Sequence, residues 1–212
     1  MKILVACESS GAVREAFRKR GHDAWSADLL PADDRSSYHH QGDVTAILND
    51  GWDMMIAHPP CTYLSVSGMH WTTRGLRDRK LTDDALQFVR ILMNAPIHRI
   101  AIENPVSIIS SHIRKPDQTI QPWWFGDNAS KRTCLWLKNL PTLKPTNVVR
   151  GRMVTTPNGK VVERWENQCD SGQNKLAPSA DRWKERSKTY QGIADAMAQQ
   201  WSNGMATSGV LF

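Results

Sequence analysis

A cysteine directly follows two prolines at the end of an apolar run, in the stretch DMMIAHPPCTYLS from Asp53 to Ser65. Pro59 and Pro60 fix their own φ angles and have no N–H to give to a sheet, so the loop that carries Cys61 is stiff. A thiol held on a rigid loop beyond the end of a strand is well placed to act as a nucleophile. The alternative is a small buried hydrophobic residue, which is the common state of a free cysteine.

A carboxylate stands at the end of a second apolar run, in the stretch IHRIAIENP. If the two runs are neighbouring parallel strands, their carboxyl ends meet at one edge of the sheet, and Glu103 comes close to Cys61. It is then placed for proton transfer to a ring bound beside the thiol. We expect burial to raise the pKa of Glu103, so that it can act as an acid.

The first apolar run, Lys2 to Cys7, leads into the turn Glu8-Ser9-Ser10-Gly11 and then into a helical pattern. Small residues before a helix let a cofactor approach the backbone, although an ordinary strand-to-helix turn would look similar. Asp28, about 20 residues further on, ends the second run and can accept ribose hydroxyls. With one glycine and no phosphate-loop lysine, the turn favours a nucleoside without phosphates, such as S-adenosylmethionine.

The elements that position these residues alternate between strand and helix. Apolar runs end at Cys7, Asp28, Cys61 and Pro105, and amphipathic helices follow the first and third of them; the second of these helices begins at Thr82 as its N-cap. This alternation predicts an α/β fold with a mostly parallel sheet covered on both faces. The polar residues at the strand ends lie where such sheets bind ligands.

The rest of the chain has a different character. The stretch VVRGRMVTTPNGKVVERW predicts a β-hairpin that turns at residues 157–159, and SKTYQGIADAMAQQW predicts a closing helix. We therefore divide the chain into a core (1–145), a hairpin and loop insertion (146–186) and a C-terminal helix (187–212). Nothing in the sequence gives the basic hairpin residues the fixed partners that base recognition needs, so we expect them to track phosphates, with a solvated basic hairpin as the alternative. These residues are Arg150, Arg152, Lys160 and Arg164.

Composition sets the class of protein. A chain of 212 residues with 40% hydrophobic residues has enough material for one core. The net charge of +6 suits a polyanionic partner, and a merely basic soluble protein is the alternative.

The four cysteines stand far apart, so no metal site is expected. No apolar run reaches the ~18 residues of a membrane span, and no signal peptide is recognised. We expect a cytoplasmic protein without a membrane partner.

Together these segments resemble the DNA cytosine-C5 methyltransferases. HPPCTYLS resembles their P-C loop, IENP their E-N-V element, and GDV at Gly42 to Val44 their adenine-binding turn. The resemblance covers roughly residues 1 to 140 and extends to the closing helix through YQGIADAMA. It is closest to the small bacteriophage proteins of this type, which share KPDQ, QPWWFG and SKRTCLWLK between Lys115 and Lys138.

This resemblance implies a Rossmann-like, S-adenosylmethionine-dependent methyltransferase fold and a DNA substrate. Cys61 would add to C6 of cytosine, Glu103 would assist at N3, and Lys131 or Arg132 would lie near the base carbonyl. We expect the Lys131-Arg132 pair, or a nearby helix N-terminus, to favour the thiolate. The implied cofactor-binding residues are Cys7, Glu8, Ser9, Gly11, Asp28, Asp43 and Pro59. The target base would be single-stranded or flipped, in the bacterial host cytoplasm if the protein is phage-encoded.

The chain departs from the family at three points. It lacks F-x-G-x-G in the first turn, SKRTCLWL only approximates Q-x-R-x-R, and residues 144–187 are too few for a full target-recognition domain. Two alternatives follow: an inactive DNA-binding or counter-defence protein on the same scaffold, or an enzyme that modifies free pyrimidine nucleotides. Methylation of exocyclic amines is disfavoured, because His58 and Cys61 replace the acidic or amide residue and the aromatic residue of D/N-P-P-Y/F. Trp123 and Trp124 are expected to pack, with base stacking as the alternative.

Overall fold

The computed structural model describes residues 1–179 and 182–202, which form a mixed sheet, a separate hairpin and six α-helices. The strands are β1 (Lys2–Ala6), β2 (Asp23–Asp28), β3 (His39–Gln41), β4 (Met54–Ala57), β5 (Arg99–Pro105), β6 (Gln118–Ile120), β7 (Thr133–Lys138), β8 (Arg152–Thr155) and β9 (Val161–Arg164). The helices are α1 (Ala12–Arg18), α2 (Met69–Thr73), α3 (Arg79–Met93), α4 (Ile109–His112), α5 (Arg182–Ser187) and α6 (Gln191–Ser202).

Seven of the described strands form one sheet in the order β3-β2-β1-β4-β5-β7-β6. The neighbours from β3 to β5 are all parallel, whereas β7 runs antiparallel to both β5 and β6. The chain builds outward from β1 in one direction and then from β4 in the other, so the strand order reverses between these two strands. In open α/β sheets a crevice forms at the carboxyl ends of the strands flanking this reversal.

The sheet is buried on both faces, as the apolar runs predict. Ile3 and Val5 of β1 pack in one core cluster with α1 and α6, whereas Leu4 and Ala6 pack in the other with α3. All residues of β4 are buried. The fold class is therefore confirmed as α/β and Rossmann-like, with a mostly parallel sheet and a small hairpin. Among the described helices, none has the length and apolarity needed to cross a membrane.

Two local expectations were incomplete or wrong. Strand β3 has the sequence HHQ, and an edge strand this short and polar has no apolar pattern from which it could be recognised. The helix assigned to Thr82 begins earlier, at Arg79, with Asp78 as the N-cap that accepts from the Lys80 N–H. Thr82 is instead buried within the helix.

The hairpin forms where the sequence places it, whereas the closing helix begins at Gln191, four residues later than predicted, and Ser187 ends the preceding helix α5. β8 and β9 pair antiparallel around a turn in which Gly159 has φ 79°, the left-handed region that glycine enters at little cost. Helix α6 packs on α1. Gly192, in its first turn, lets the helix approach the backbone of Phe125, because a Cβ there would lie 2.8 Å from the Phe125 carbonyl carbon. Of the predicted C-terminal segment, residues 203–212 lie outside the described residues.

Candidate active site

The loop that carries Cys61 and the end of β5 are joined by hydrogen bonds. The Asn104 side-chain amide donates to the Pro59 carbonyl at 2.8 Å, and the Ile108 N–H donates to the Leu64 carbonyl at 2.9 Å. Asn104 is 1% exposed, so its bond to Pro59 is shielded from water. The structure thus brings together the two polar segments that the sequence predicts at one edge of the sheet.

Cys61 lies at the surface of this unit. Its side chain is exposed, whereas Pro59 beneath it is buried. The main chain turns sharply after it, because the N–H groups of Leu64 and Ser65 both donate to the Cys61 carbonyl. An exposed residue on an anchored loop does not fit the alternative of a fully buried hydrophobic cysteine.

Lys131 favours the Cys61 thiolate, as expected, but the expectation that the nearby groups together favour it was wrong. Partial burial of the sulfur raises the pKa of Cys61, and the negative charge of Glu103 raises it further. The positive charges of Lys131 and Arg186 act in the opposite direction but are outweighed. The resting site therefore holds a neutral thiol. Arg186, on α5, is a residue that the sequence analysis did not identify, because nothing in its neighbourhood marks it as part of the site.

The expectation that burial raises the pKa of Glu103 was also wrong. Burial does favour the neutral acid, but the hydrogen bond from His58 and the positive charges of Lys131 and His58 outweigh it, so the pKa is lowered. The His58 Nδ1 to Glu103 Oε2 distance is 2.8 Å. Glu103 is therefore a buried carboxylate with a fixed partner. His58 lies 45 residues earlier in the chain, and only the pairing of β4 with β5 makes them neighbours.

The structure distinguishes Lys131 from Arg132. The charge of Lys131 acts on both Cys61 and Glu103, and its Nζ donates to the Lys188 carbonyl at 3.4 Å. The charge of Arg132 acts instead on Cys134, and Arg132 lines a separate cavity of about 540 Å³. Lys131 is thus the cation of the pair that faces the thiol.

The second part of the candidate site lies beyond β1 and β2. Burial raises the pKa of the Cys7 thiol to about 12, and the charges of Asp28 and Asp43 contribute to this rise. The structure therefore brings Asp28 and Asp43 together around Cys7. Asp28 Oδ1 accepts from the Leu30 N–H at 2.9 Å. Backbone and side-chain hydrogen bonds from Thr45 lower the pKa of Asp43, which is exposed and ionised.

The turn between β1 and α1 is held together by its own side chains. Glu8 is 5% exposed and accepts the backbone N–H of Val13 at 2.8 Å and of Arg14 at 3.3 Å. Its carboxylate thus occupies the first amides of α1, so its role here is to shape the turn. Gly11 has φ 74°, and a Cβ there would lie 2.9 Å from the Arg14 guanidinium carbon. The Ser9 carbonyl accepts from Asp33 N–H and ties the turn to the loop after β2.

These residues fit the nucleoside part of S-adenosylmethionine. Asp28 can accept ribose hydroxyls, and Asp43 can accept from an exocyclic amino group, since both are short acceptor side chains at the same crevice. Leu29, which follows Asp28, is 74% exposed and offers an apolar surface to a base. Over residues 1–179 and 182–202, no group of three or more His, Cys, Asp or Glu side chains is arranged to hold a metal ion.

The arginines of the hairpin have partners within the protein that the sequence did not predict. Arg152 pairs with Asp170 at 2.6 Å, and Arg164 donates to the Asp170 carbonyl at 3.1 Å. Arg150 lies 3.8 Å from Glu163. The expectation that these arginines have no fixed partners was wrong. The acidic partners are distant in sequence or lie on the facing strand, so local sequence could not predict the pairing. Lys160 is exposed at the turn.

The paired tryptophans pack against the hairpin region. Trp123 stacks on Trp165 with ring centroids 5.0 Å apart and 16° between planes, and it meets Trp124 edge to face. The Trp165 ring nitrogen donates to the Val149 carbonyl at 3.2 Å. These contacts favour the packing interpretation over stacking on bases.

Comparison with known proteins gives a likeness among solved structures. No protein-family model and no curated protein matches the chain. Among solved structures, a prophage-encoded protein of E. coli described as a DNA modification methyltransferase has 17% identity and a TM-score of 0.48. The match covers 69% of this chain and 51% of that one, so this chain spans about half the length of the matched protein. A likeness at this level carries no information about function.

Proposed function

We propose that the protein is an S-adenosylmethionine-dependent DNA cytosine-C5 methyltransferase in which Cys61 is the nucleophile. The observation that carries the proposal is the exposed thiol of Cys61 on a loop bonded to the segment that holds the buried carboxylate of Glu103. The crevice beside it carries Asp28 and Asp43, which suit a nucleoside cofactor. A fixed nucleophile, a proton-handling group and a nucleoside site are what C5 methylation of a pyrimidine requires.

The proposed reaction begins when the Cys61 thiol gives its proton to solvent and Sγ forms a bond to C6 of cytosine. The electron pair of the C5=C6 bond moves into the ring toward N3, where Glu103 provides a proton or a hydrogen bond. C5 thereby becomes nucleophilic. The cofactor, when bound, supplies an electrophilic methyl group. Loss of the C5 proton and departure of the sulfur then release the methylated base.

Glu103 and Cys61 are coupled in this scheme. The charge of Glu103 raises the pKa of Cys61, so a proton gained by Glu103 lowers the pKa of the thiol. Protonation of Glu103 near a bound base would thus prepare the ring and favour the thiolate together. The positive charge of Lys131 lowers the pKa of both Cys61 and Glu103. It therefore favours the thiolate of Cys61 and the carboxylate of Glu103.

The segment after Cys61 supports a nucleic acid substrate. Trp71 is 47% exposed, and the Arg77 guanidinium lies 4.9 Å from the centre of the Tyr63 ring. Exposed aromatic rings interleaved with arginines suit bases and phosphates of an unpaired strand. A base within a duplex would have to flip out to reach Cys61.

Incubation with labelled S-adenosylmethionine and DNA, followed by nucleoside analysis, tests the proposal. The expected product is 5-methylcytosine. DNA containing 5-fluorocytosine should trap a covalent adduct, because fluorine blocks the elimination that frees the sulfur. Cys61→Ser should form no adduct, and Cys134→Ser provides the matched control, since Cys134 is buried. Full turnover by Cys61→Ser would contradict the mechanism.

A free pyrimidine nucleotide is the second candidate substrate. The internal pairing of two hairpin arginines favours it, because Arg152 and Arg164 are already bound to acidic or carbonyl groups. The same assay with deoxycytidine monophosphate in place of DNA distinguishes the two substrates. DNA binding without methyl transfer to either substrate would support the inactive DNA-binding alternative.

A further inference from the structure

His58 is a buried titratable group for which the reaction above has no use. It follows β4, and its backbone N–H donates to the Ala6 carbonyl at 2.9 Å, which fixes its position at the strand-order reversal. Its Nδ1 lies 2.8 Å from Glu103 Oε2, and each of the two side chains is 9% exposed. A histidine is thus placed directly behind the carboxylate proposed to act on the base.

The second ring nitrogen of His58 has no protein partner. Nε2 is buried, and it has no hydrogen-bond partner within the described part of the chain. A buried polar atom without a partner is costly, and such atoms are retained where they bind a ligand or take part in proton transfer. The contact with Glu103 therefore engages one ring nitrogen, while the other has no partner that would fix its protonation.

Glu103 alone is poorly suited to be the acid. Its hydrogen bond from His58 and the charge of Lys131 hold it as a carboxylate, so it has no proton to give to N3 of a base. A proton source must lie within reach of it. Among the groups that face Glu103, His58 is in direct contact, and Lys131 acts through its charge.

We propose that His58 and Glu103 act as one proton-donating pair, in which His58 supplies the proton that Glu103 delivers to the pyrimidine ring. The inference rests on the proposed function of the same site. In this pair Glu103 is the catalytic residue, because it meets the base. His58 is a positioning and proton-supplying residue that acts through Glu103.

The proton balance of this step is closed. The imidazolium form of His58 gives its Nδ1 proton to Glu103 Oε2, and the resulting carboxylic acid gives that proton to N3 as Cys61 Sγ bonds to C6. Cys61 first loses its thiol proton to solvent, so that the sulfur reacts as a thiolate and loses its negative charge when it bonds to C6, and the imidazolium loses a positive charge as its proton moves to N3. When the S–C6 bond breaks, its electron pair returns to sulfur and the N3 proton returns through Glu103 to His58. The thiolate that leaves at the end takes a proton from solvent again. The proton released from C5 goes to solvent.

Three substitutions separate proton supply from simple positioning. His58→Asn retains an N–H that can donate to Glu103, but it cannot carry a proton. His58→Ala removes both functions and leaves space for imidazole from solution. His98→Asn is the matched control. His98 is exposed and directly precedes the first residue of β5, whereas Glu103 lies near the last residue of this strand. Circular dichroism and thermal unfolding establish that each variant is folded.

The measurement is methyl transfer to cytosine in DNA under single-turnover conditions. We expect His58→Ala and His58→Asn to lose about 10²-fold in rate, within the range of general acid catalysis, with DNA affinity little changed. Added imidazole should restore part of the rate of His58→Ala only. An Asn variant as fast as the wild type would overturn proton supply, and so would a His58→Ala variant that is slow and unaffected by imidazole in a folded protein.

A readout without activity keeps this inference distinct from the proposed function. In protein labelled with 15N-histidine, the ring signals of His58 are identified by their loss in His58→Asn. They should shift in Glu103→Gln and stay unchanged in Glu166→Gln, whose carboxylate is exposed elsewhere. Unshifted signals would overturn the pair. A wild type that shows the shift and methylates nothing would overturn the proposed function and the proton delivery that rests on it, leaving only the contact.

Discussion

The side-chain amide of Asn104 donates a 2.8 Å hydrogen bond to the carbonyl oxygen of Pro59. Through this bond the end of β5, which carries Glu103, supports the loop of Cys61. The stiffness that two adjacent prolines give to the loop is completed by a partner 45 residues away. The geometry of the candidate active site therefore depends on this buried contact.

Asn104→Ala should loosen the Cys61 loop. Loss of the buried bond leaves the Pro59 carbonyl unsatisfied, which we expect to lower the free energy of unfolding by about 1–2 kcal/mol. Chemical denaturation measures this loss. Asn94→Ala is the control, since Asn94 is exposed at the end of α3. Equal stability of the Asn104 variant and the wild type would show that the contact contributes nothing.

Glu103→Gln should have opposite effects on the thiol and on catalysis. Removing the negative charge lowers the pKa of Cys61, so alkylation of Cys61 near pH 7 should become about two- to tenfold faster. Methyl transfer should fall by about 10²-fold or more, because the ring loses its proton donor. Mass spectrometry after iodoacetamide treatment follows the first effect. A slower alkylation of Cys61 in a folded variant would contradict the electrostatic account.

Lys131→Met and Arg132→Met should differ in their effects on Cys61. Lys131 lowers the pKa of the thiol, so its removal should raise that pKa and slow alkylation at a fixed pH near neutrality. Arg132 acts on Cys134, so its removal should leave Cys61 unchanged. The pH dependence of alkylation is measured for each variant. Equal shifts in both would mean that the two cations share the site.

The four thiols should differ in reactivity. Cys169 should react first with iodoacetamide near neutral pH, because hydrogen bonds, led by the one from the Ser171 hydroxyl, lower its pKa. Cys7 should be nearly inert, since its pKa is raised to about 12. Peptide mapping over time gives the order. Early labelling of Cys7 would show that its burial, or its contact with Asp28 and Asp43, is not maintained in solution.

Glu103 should make stability depend on pH. Its pKa is lower in the folded protein than in the unfolded chain, so ionised Glu103 favours the folded state above about pH 4.3, the ordinary value for this side chain. That contribution is lost as pH falls through the folded pKa. Denaturation of wild type and Glu103→Gln between pH 3 and 7 measures it. The difference between the two proteins should shrink toward acid, and a constant difference would contradict the lowered pKa.

The sequence by itself determined the fold class and the ends of the main strands. Apolar runs such as KILVA and MMIA encode buried strands because their burial in a parallel sheet is continuous, and a strand with this pattern has no polar face to offer solvent. Asp23 to Asp28 forms β2 as predicted. The carboxyl ends of these strands had to meet at one edge, which placed Cys61, Glu103 and Asp28 near a common crevice.

The tertiary structure alone decided the charges at that crevice. The ionisation of Glu103 depends on His58, which is brought to it by the pairing of β4 with β5, and local sequence carries no trace of a contact across two strands. Whether Lys131 or Arg132 acts on Cys61 depends on where each side chain lies in three dimensions: Lys131 acts on Cys61, whereas Arg132 acts on Cys134. A pKa is set by every charge and every dipole around a group in three dimensions, whereas a strand is set by the pattern of its own residues.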